Sequence, residues 1–267
     1  MIRLIATDID GTLLPAGSAN SPPEMVGLLR EYLDRGVVIA LASGRPLSAL
    51  DNLFPELNDR LIYICSNGTR VVQNKKNISL SPVAVGEELS SIMRAVRELH
   101  CDFMVDSSEI TLVEDSVSDT FYRLIQAAGI RVEKVNDITE YPAPILKISI
   151  AHPNGPRAVC NYPDIMRFGE RYTLIPTGGV FFDIITRQAD KGTAVKAIQQ
   201  QFGIKPEETV VFGDAMNDVP LFGTTPNSYA VESAPAEVRS YAKYTVLPPE
   251  AGGVLRCLSE LLQKCED

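Results

Sequence analysis

The sequence predicts an α/β fold built on an open parallel sheet with helices on both faces. Continuous apolar runs at residues 37–42, 61–65 and 209–212 have the length and the β-branched content of strands that are buried on both sides. Amphipathic helical patterns separate these runs and are joined to them by short polar loops, an alternation that is typical of parallel sheets. The fold class is therefore α/β with a parallel core sheet.

The pattern changes between residues 82 and 184, where short strands follow one another and helices are fewer. About a hundred residues are enough for a separate domain. We therefore predict a core in two parts, residues 1–81 and 185–267, with a second α/β domain at residues 82–184 inserted between them.

The composition and net charge disfavour some classes of function. The chain has 267 residues, of which 45% are hydrophobic and 22% charged, and its formal net charge is −9. Such a charge disfavours binding to nucleic acids or membrane surfaces, which are anionic themselves. The five cysteines are scattered and form no metal-ligand spacing, so we expect reduced thiols in a cytoplasmic protein, with no signal peptide and no membrane span.

The first part of the core begins with an apolar strand at residues 2–6, which leads into Asp8 and Asp10. A helix follows, for which we predict Ser21 as the N-cap, a capping box closed by Glu24, and an end at Gly36. The strand at 37–42 leads into Ser43-Gly44-Arg45, and a short helix is expected to reach Phe54 and stop at Pro55. The strand at 61–65 then leads into Ser66-Asn67-Gly68.

In the inserted domain, the run at 145–150 alternates apolar and polar residues, which indicates a half-exposed strand. A hairpin is expected around Thr177-Gly178-Gly179. The remaining predicted elements are helices at 87–100, 119–128 and 160–172 and strands at 101–105, 110–113, 172–176 and 180–185.

The second part of the core opens with a helix capped by Asp190 and ended by Gly203. The strand at 209–212 leads into Gly213-Asp214. Two helices at 235–241 and 253–264 and a strand at 244–247 complete the prediction.

Polar clusters follow four of the buried strands: Asp8 with Asp10, Ser43-Gly44-Arg45, Ser66-Asn67-Gly68, and Asp214 with Asn217 and Asp218. Ligands of open α/β sheets bind beyond the carboxyl ends of the strands, so all four clusters should meet at one edge. Two neighbouring buried carboxylates are costly unless a cation compensates them. The sequence therefore predicts a cation-dependent site at this edge.

In four motifs the sequence resembles the haloacid-dehalogenase-like (HAD) phosphohydrolases, and among them the Cof-type (IIB) sugar-phosphatase-like group. The motifs occur in the family's order across nearly the whole chain. They are Asp8-Ile9-Asp10-Gly11-Thr12, Ser43-Gly44-Arg45, Lys191-Gly192 and Gly213-Asp214-Ala215-Met216-Asn217-Asp218. The resemblance implies a Rossmann-like core and an inserted α/β cap domain that closes over the site and reads the leaving group.

The resemblance also implies a mechanism, in which Asp8 attacks phosphorus and forms an aspartyl-phosphate while Asp10 acts as general acid and base. The implied cofactor is Mg²⁺, with Asp8, Asp10 (through its backbone carbonyl), Asp214 and Asp218 as ligands. The implied substrate is a small phosphorylated metabolite, most simply a sugar phosphate, with pyridoxal phosphate, flavin mononucleotide and polyol phosphates as the other candidates. The residues expected to bind its phosphate are Thr12, Ser43, Gly44, Arg45, Asn67 and Lys191.

Two other functions remain open on the sequence alone. A phosphomutase of the phosphomannomutase type would use the same pair of aspartates and return the phosphoryl group to the sugar. A non-catalytic phosphosugar-binding regulator could keep the fold without turnover. The sequence does not fix the oligomeric state.

Overall fold

The computed structural model describes residues 1–177 and 180–263 of the chain. It divides into two compact units. The first comprises Met1–Arg45, Leu50–Ile78 and Asp190–Asp267, and the second comprises Pro46–Ala49 and Ser79–Ala189.

The strands, in chain order, are β1 Leu4–Asp8, β2 Val38–Ala42, β3 Ile62–Cys65, β4 Arg70–Gln73, β5 Lys76–Leu80, β6 Asp102–Ser107, β7 Thr111–Glu114, β8 Val132–Val135, β9 Ile145–Ala151, β10 Tyr172–Thr177, β11 Phe181–Thr186, β12 Thr209–Gly213, β13 Ser228–Val231 and β14 Tyr244–Val246. The helices are α1 Pro23–Asp34, α2 Leu47–Leu50, α3 Gly86–Glu98, α4 Asp119–Ala127, α5 Pro163–Met166, α6 Lys191–Phe202, α7 Val219–Phe222, α8 Ala236–Arg239 and α9 Gly253–Gln263.

The sheet of the first unit has the strand order β14-β13-β12-β1-β2-β3-β4-β5. Strand β1 pairs in parallel with both β12 and β2, and β3 pairs in parallel with β2. Strands β2 and β3 therefore lie on one side of β1, and β12, β13 and β14 lie on the other side. The strand order reverses beside β1, and open α/β sheets bind ligands at such a switch point.

Helices cover both faces of this sheet. On one face, α6, α7 and α8 pack their apolar side chains on alternate residues of the strands, for example Leu4 and Ala6 of β1. Helices α1 and α9 contact each other, and the Tyr32 hydroxyl of α1 donates to the backbone carbonyl of Leu258 in α9 at 2.7 Å. The α/β class predicted from the alternation of elements is therefore confirmed.

The ends of two helices test the predicted caps. The N-cap of α1 is Pro22, with no side-chain cap, so the predicted Ser21–Glu24 capping box is wrong. Proline already fixes a backbone dihedral suited to the first helical turn, and α1 begins without a side-chain acceptor. For α6 the prediction is confirmed: the Asp190 carboxylate accepts from the Thr193 amide at 2.6 Å, and Gly203 ends the helix in the left-handed conformation.

Other local predictions differ from the structure between residues 46 and 80 and after β12. The helix expected to reach Phe54 is the single turn α2, and Pro55 begins a 3₁₀ turn instead of marking a stop. The hairpin of β4 and β5 and the strand β13 were not predicted. The predicted helix 253–264 is α9, and Lys264 lies outside the described residues.

The second unit contains a six-stranded sheet with the order β10-β11-β9-β6-β7-β8. Most of its pairs are antiparallel, and β7 and β8 are parallel. One face packs on α3 and α5 through residues such as Phe103, Ile148 and Phe182. Alternate residues such as Met104 and Val113 pack with α4 on the other face.

Strand β9 corrects the expectation of a half-exposed strand, because it is buried on both faces from Ile145 to Ile150. Its polar residue Lys147 is 3% exposed. The Lys147 Nζ atom lies 3.4 Å from Asp106 Oδ2 and 3.5 Å from Asp183 Oδ2, so the polar position faces two carboxylates instead of solvent.

The rest of the second unit follows the prediction in part. The hairpin of β10 and β11 is confirmed, but Gly178 and Gly179 of its predicted turn lie outside the described residues. In place of the predicted helix 160–172 there are two 3₁₀ segments flanking α5, and strand β8 was missed.

Two further expectations concern the cysteines and membranes. Cys65, Cys101, Cys160 and Cys257 are not joined to one another in disulfides, and Cys265 is outside the described residues. Within the described ranges, the helices are all too short or too polar to cross a membrane.

Candidate active site

The site residues lie where neighbouring parallel strands end. Asp8 is the last residue of β1, Ser43 follows β2, Asn67 follows β3, and Asp214 follows β12. These four strands are adjacent in the sheet, so their carboxyl ends lie at one edge. Strands distant in sequence thereby bring their terminal polar residues together.

Lys191 lies at the centre of this group. As the first residue of α6, it places its Nζ atom 2.5 Å from Asp8 Oδ1 and 2.6 Å from Asp218 Oδ1. All three side chains are buried, and Lys191 is only 1% exposed. A single ammonium group between two carboxylates leaves one negative charge uncompensated when all three groups are ionised.

Asp218 uses both of its carboxylate oxygens within the protein. Oδ1 contacts Lys191, and Oδ2 accepts from the backbone amides of Asp214 and Ala215, each at 3.0 Å. The Asp218 carboxylate therefore fixes the loop that carries Asp214 as well as the position of Lys191.

Asp214 is held against the turn that follows β1. The Thr12 hydroxyl donates to Asp214 Oδ1 at 2.8 Å. Gly11 has φ +83°, and a Cβ atom at this position would lie 2.7 Å from Asp214 Oδ2. The fourth residue of the first motif thus has to be glycine for two reasons, its backbone conformation and the close approach of Asp214.

Asp10 and Arg45 form an ion pair at the more open side of the site. Arg45 Nη2 contacts Asp10 Oδ1, which also accepts from the Gly17 amide at 3.2 Å. The Arg45 amide in turn donates to Ser43 Oγ at 3.1 Å. Both charged side chains retain about a quarter of their surface, so they remain accessible to a ligand.

Asn67 is buried, and its Oδ1 atom accepts from Asn217 Nδ2 at 3.0 Å. A Cβ atom on Gly44 would lie 3.2 Å from the same oxygen. The sequence placed Asn217 in the polar cluster with Asp214 and Asp218 but assigned it no separate role. The signal that could have identified it is its position one residue before Asp218.

Burial and neighbouring charges shift the pKa values of three residues at the site. Burial raises the pKa of Asp8 well above its usual range, Lys191 opposes that shift, and Asp218 and Asp214 add to it. Burial by itself would lower the pKa of Lys191, but Asp218 and Asp8 outweigh it and raise the pKa. Burial followed by the charge of Asp218 raises the pKa of Asp214. This environment favours a bound cation, which would stabilise the ionised carboxylates.

The carboxylates of Asp8, Asp214 and Asp218 offer oxygen atoms that all lie within 4.8 Å of one another. Carboxylate oxygens are the ligands that Mg²⁺ prefers, and Mg²⁺ commonly keeps several waters beside one or two carboxylates. The donor set therefore fits this ion. Because both Asp218 oxygens already have protein partners, Asp8 and Asp214 have the greater freedom to act as direct ligands.

Comparison with known proteins places this geometry in a family. The family description "haloacid dehalogenase-like hydrolase" matches residues 5–258. A solved protein of Eubacterium rectale is 31% identical, with a TM-score of 0.87 over 97% of this chain and 99% of its own. The fold is also that of the HAD subclass IIB sugar phosphatase BT4131, at a TM-score of 0.81 and 20% identity over 97% of this chain and 98% of the other.

A curated relative carries a more specific name. The 5-amino-6-(5-phospho-D-ribitylamino)uracil phosphatase YbjI of Escherichia coli K12 is 22% identical over 98% of this chain and 97% of its own length. The family match covers almost the entire core and all of the motifs that converge on Asp8 and Lys191. The chain belongs to the haloacid dehalogenase-like hydrolases.

Proposed function

We propose that this chain is a Mg²⁺-dependent phosphatase of small phosphate monoesters, most simply sugar phosphates, which works through an aspartyl-phosphate on Asp8. Membership of a family of phosphatases that act on small phosphorylated metabolites supports the general activity. The observation that carries the specific mechanism is the buried group of Asp8, Lys191 and Asp218 at the carboxyl edge of the sheet.

Asp8 is the proposed nucleophile. Its carboxylate lies at the end of β1, where one oxygen is fixed by Lys191. The other oxygen attacks phosphorus, the bond from phosphorus to the ester oxygen breaks, and the phosphoryl group is held on Asp8 until water hydrolyses it. Lys191 supplies positive charge beside the transferred group, which a chain with net charge −9 has to concentrate locally.

Asp10 is the proposed general acid and base. It follows Asp8 by two residues, and the ion pair with Arg45 and the bond from the Gly17 amide fix its carboxylate. In the first step the protonated form of Asp10 donates its proton to the departing alkoxide oxygen, and in the second the resulting carboxylate takes a proton from the attacking water.

Asp8 and Asp214 would hold the Mg²⁺ ion, with the Asp10 backbone carbonyl as a third proposed ligand and Asp218 beside them. When bound, the ion neutralises charge on the phosphoryl oxygens. Thr12 acts here by orienting Asp214 through its hydroxyl, in addition to the predicted phosphate contact. Arg45 contacts Asp10, and Ser43, Gly44 and Arg45 remain the proposed phosphate-binding segment.

The test is Asp8→Asn, which keeps the shape of the side chain and removes its nucleophilic charge. Mg²⁺-dependent phosphate release from a panel of sugar phosphates and other phosphate esters should fall by roughly 10³-fold or more. A hydroxylamine-sensitive phosphoenzyme should form in the native protein only. Asp34→Asn, which alters an exposed carboxylate paired with Arg60, is the matched control and should keep native activity.

Near-native turnover by Asp8→Asn would refute the aspartyl-phosphate mechanism. Phosphoryl return to a sugar, with a requirement for a bisphosphate activator, would identify a phosphomutase instead. Binding of a phosphosugar without any turnover would identify a regulator.

A further inference from the structure

The turn Ser66-Asn67-Gly68 contains a backbone that most residues avoid. Its three consecutive residues have φ values of 49°, 60° and 95°. Residues other than glycine usually visit the left-handed region singly, at a cost of about 1–2 kcal/mol each. Strained backbone of this kind persists only where the surrounding structure holds it, and it is concentrated at functional sites.

Contacts of the turn reach three separate parts of the site. The amides of Ser66 and Asn67 donate to the carbonyls of Arg45 and Ser43 at 2.9 and 3.0 Å. A Cβ atom on Gly68 would lie 2.3 Å from the backbone oxygen of Asp190, immediately before Lys191. The left-handed backbone therefore packs directly against both the Ser43–Arg45 segment and the first residue of α6.

The third contact belongs to the Asn67 side chain. Asn67 Oδ1 accepts from Asn217 Nδ2, and Asn217 lies in the loop whose amides at Asp214 and Ala215 are bound by Asp218. Asn67 is 2% exposed, and its oxygen would lie 3.2 Å from a Cβ atom on Gly44. Its side chain thus joins the segment after β2 to the loop after β12, across the end of β1.

We propose that Asn67 is a positioning residue that sets the Asp214 loop relative to Ser43 and Lys191, and that the Asn67–Asn217 bond tunes the affinity of the site for Mg²⁺. The inference rests on the proposed function and assigns Asn67 a role other than contact with the substrate phosphate. Residues that hold metal ligands in place without contacting the metal typically change metal affinity or activity by roughly 10–100-fold when they are removed.

The test uses Asn67→Gly, which removes the amide and keeps a residue suited to the left-handed conformation. Asn217→Ala removes the same bond from its other end without placing a new residue in that conformation. Asn74→Gly is the matched control, because Asn74 also has a left-handed φ of 47° but lies exposed in the turn between β4 and β5.

Mg²⁺ binding is measured without substrate, by calorimetry and by the Mg²⁺-dependent rise of the melting temperature. We expect both single variants to weaken Mg²⁺ binding by roughly 10-fold or more, to lower kcat, and to change KM little. The double variant should bind Mg²⁺ no more weakly than the more strongly affected single variant, because both substitutions remove the same hydrogen bond. Asn74→Gly should match the native protein in Mg²⁺ affinity and in kcat.

Native Mg²⁺ affinity in Asn67→Gly, or a raised KM with effects that add to those of Asn217→Ala, would overturn the proposal and indicate direct contact with substrate. The Mg²⁺ titration also separates this failure from failure of the proposed function. Native protein that binds Mg²⁺ but shows no phosphate turnover would refute the function and leave the positioning role measurable.

Discussion

Gly11 shows how strongly one residue can constrain the site. It combines a φ of +83° with a distance of 2.7 Å from its virtual Cβ to Asp214 Oδ2. An alanine in its place meets both a backbone penalty and a collision with the carboxylate that we propose as a Mg²⁺ ligand. Relief of the collision would require Asp214 to move away from Thr12.

We therefore expect Gly11→Ala to lower kcat and Mg²⁺ affinity by roughly 10–100-fold, in addition to a loss of about 1–2 kcal/mol of unfolding free energy. Gly36→Ala is the matched control, because Gly36 has a φ of +80° and nothing within 4 Å of its virtual Cβ. It should show the stability loss alone. Steady-state kinetics, Mg²⁺ calorimetry and denaturant unfolding measure the three quantities, and equal activity of the two variants would contradict the collision argument.

Residue patterns predicted much of the candidate site and less of its internal bonding. Asp8 and Asp214 could be assigned because each follows a buried strand, and parallel strands end at one edge. The sequence gives no signal that the Thr12 hydroxyl donates to Asp214 or that Asn67 accepts from Asn217, since each bond joins residues far apart in the chain. Such pairs depend on side-chain geometry that only the folded sheet defines.

At the scale of single elements, strand β9 differs most from its prediction. Lys147 suggested a half-exposed strand, because an isolated lysine on an apolar strand normally faces solvent. Instead Lys147 lies directly opposite Asp106 in the ladder with β6 and near Asp183 on β11. Ser149 donates to Asp183 Oδ1 at 2.7 Å. The partners lie on other strands, so local periodicity could not reveal them.

This buried group predicts a stability effect. Lys147→Met keeps most of the apolar side chain but leaves the Asp106 and Asp183 carboxylates without their cation. Removal of one partner from a buried ion pair commonly costs about 3–5 kcal/mol, and we expect a loss of that size at pH 8. Lys134→Met, on the exposed part of β8, is the matched control. It should change unfolding free energy by no more than about 1 kcal/mol, because it removes only an exposed ammonium group that lies 4.8 Å from the centre of the Tyr122 ring.

The same variant should have a characteristic pH dependence. Burial raises the pKa of Asp183 even though Lys147 opposes the shift, so the loss of Lys147 should raise it further. A carboxyl group with a raised pKa in the folded state binds more protons there than in the unfolded state at pH values between the two pKa values. Its penalty is therefore full above the folded pKa and declines as the pH falls from the folded pKa toward the unfolded pKa. The deficit of Lys147→Met relative to native protein should therefore shrink from pH 8 to pH 5. A deficit that grows toward acid would contradict a buried, charged Asp183.

At the scale of the whole molecule, the candidate site residues all belong to the first unit, whose segments lie on both sides of the second unit in the chain. We propose that residues 82–184, between the boundaries 81/82 and 184/185, are an insertion that acts as a cap. The second unit has its own sheet and its own apolar core, built around residues such as Ile92, Phe103 and Phe182. These features are what a domain needs to fold by itself.

We therefore expect a fragment of residues 79–189 to fold independently and to unfold in one cooperative transition, followed by circular dichroism in the far and near ultraviolet. It lacks only the short segment Pro46–Ala49 of the second unit, from which Ala49 adds one side chain to the smaller cluster under α4. Lys147→Met should lower the melting temperature of the fragment as it does that of the full chain, because Lys147, Asp106 and Asp183 all lie within it. Lys134→Met should lower the melting temperature far less. A fragment with secondary structure but no near-ultraviolet signal and no cooperative transition would show that the second unit depends on the rest of the chain for its packing.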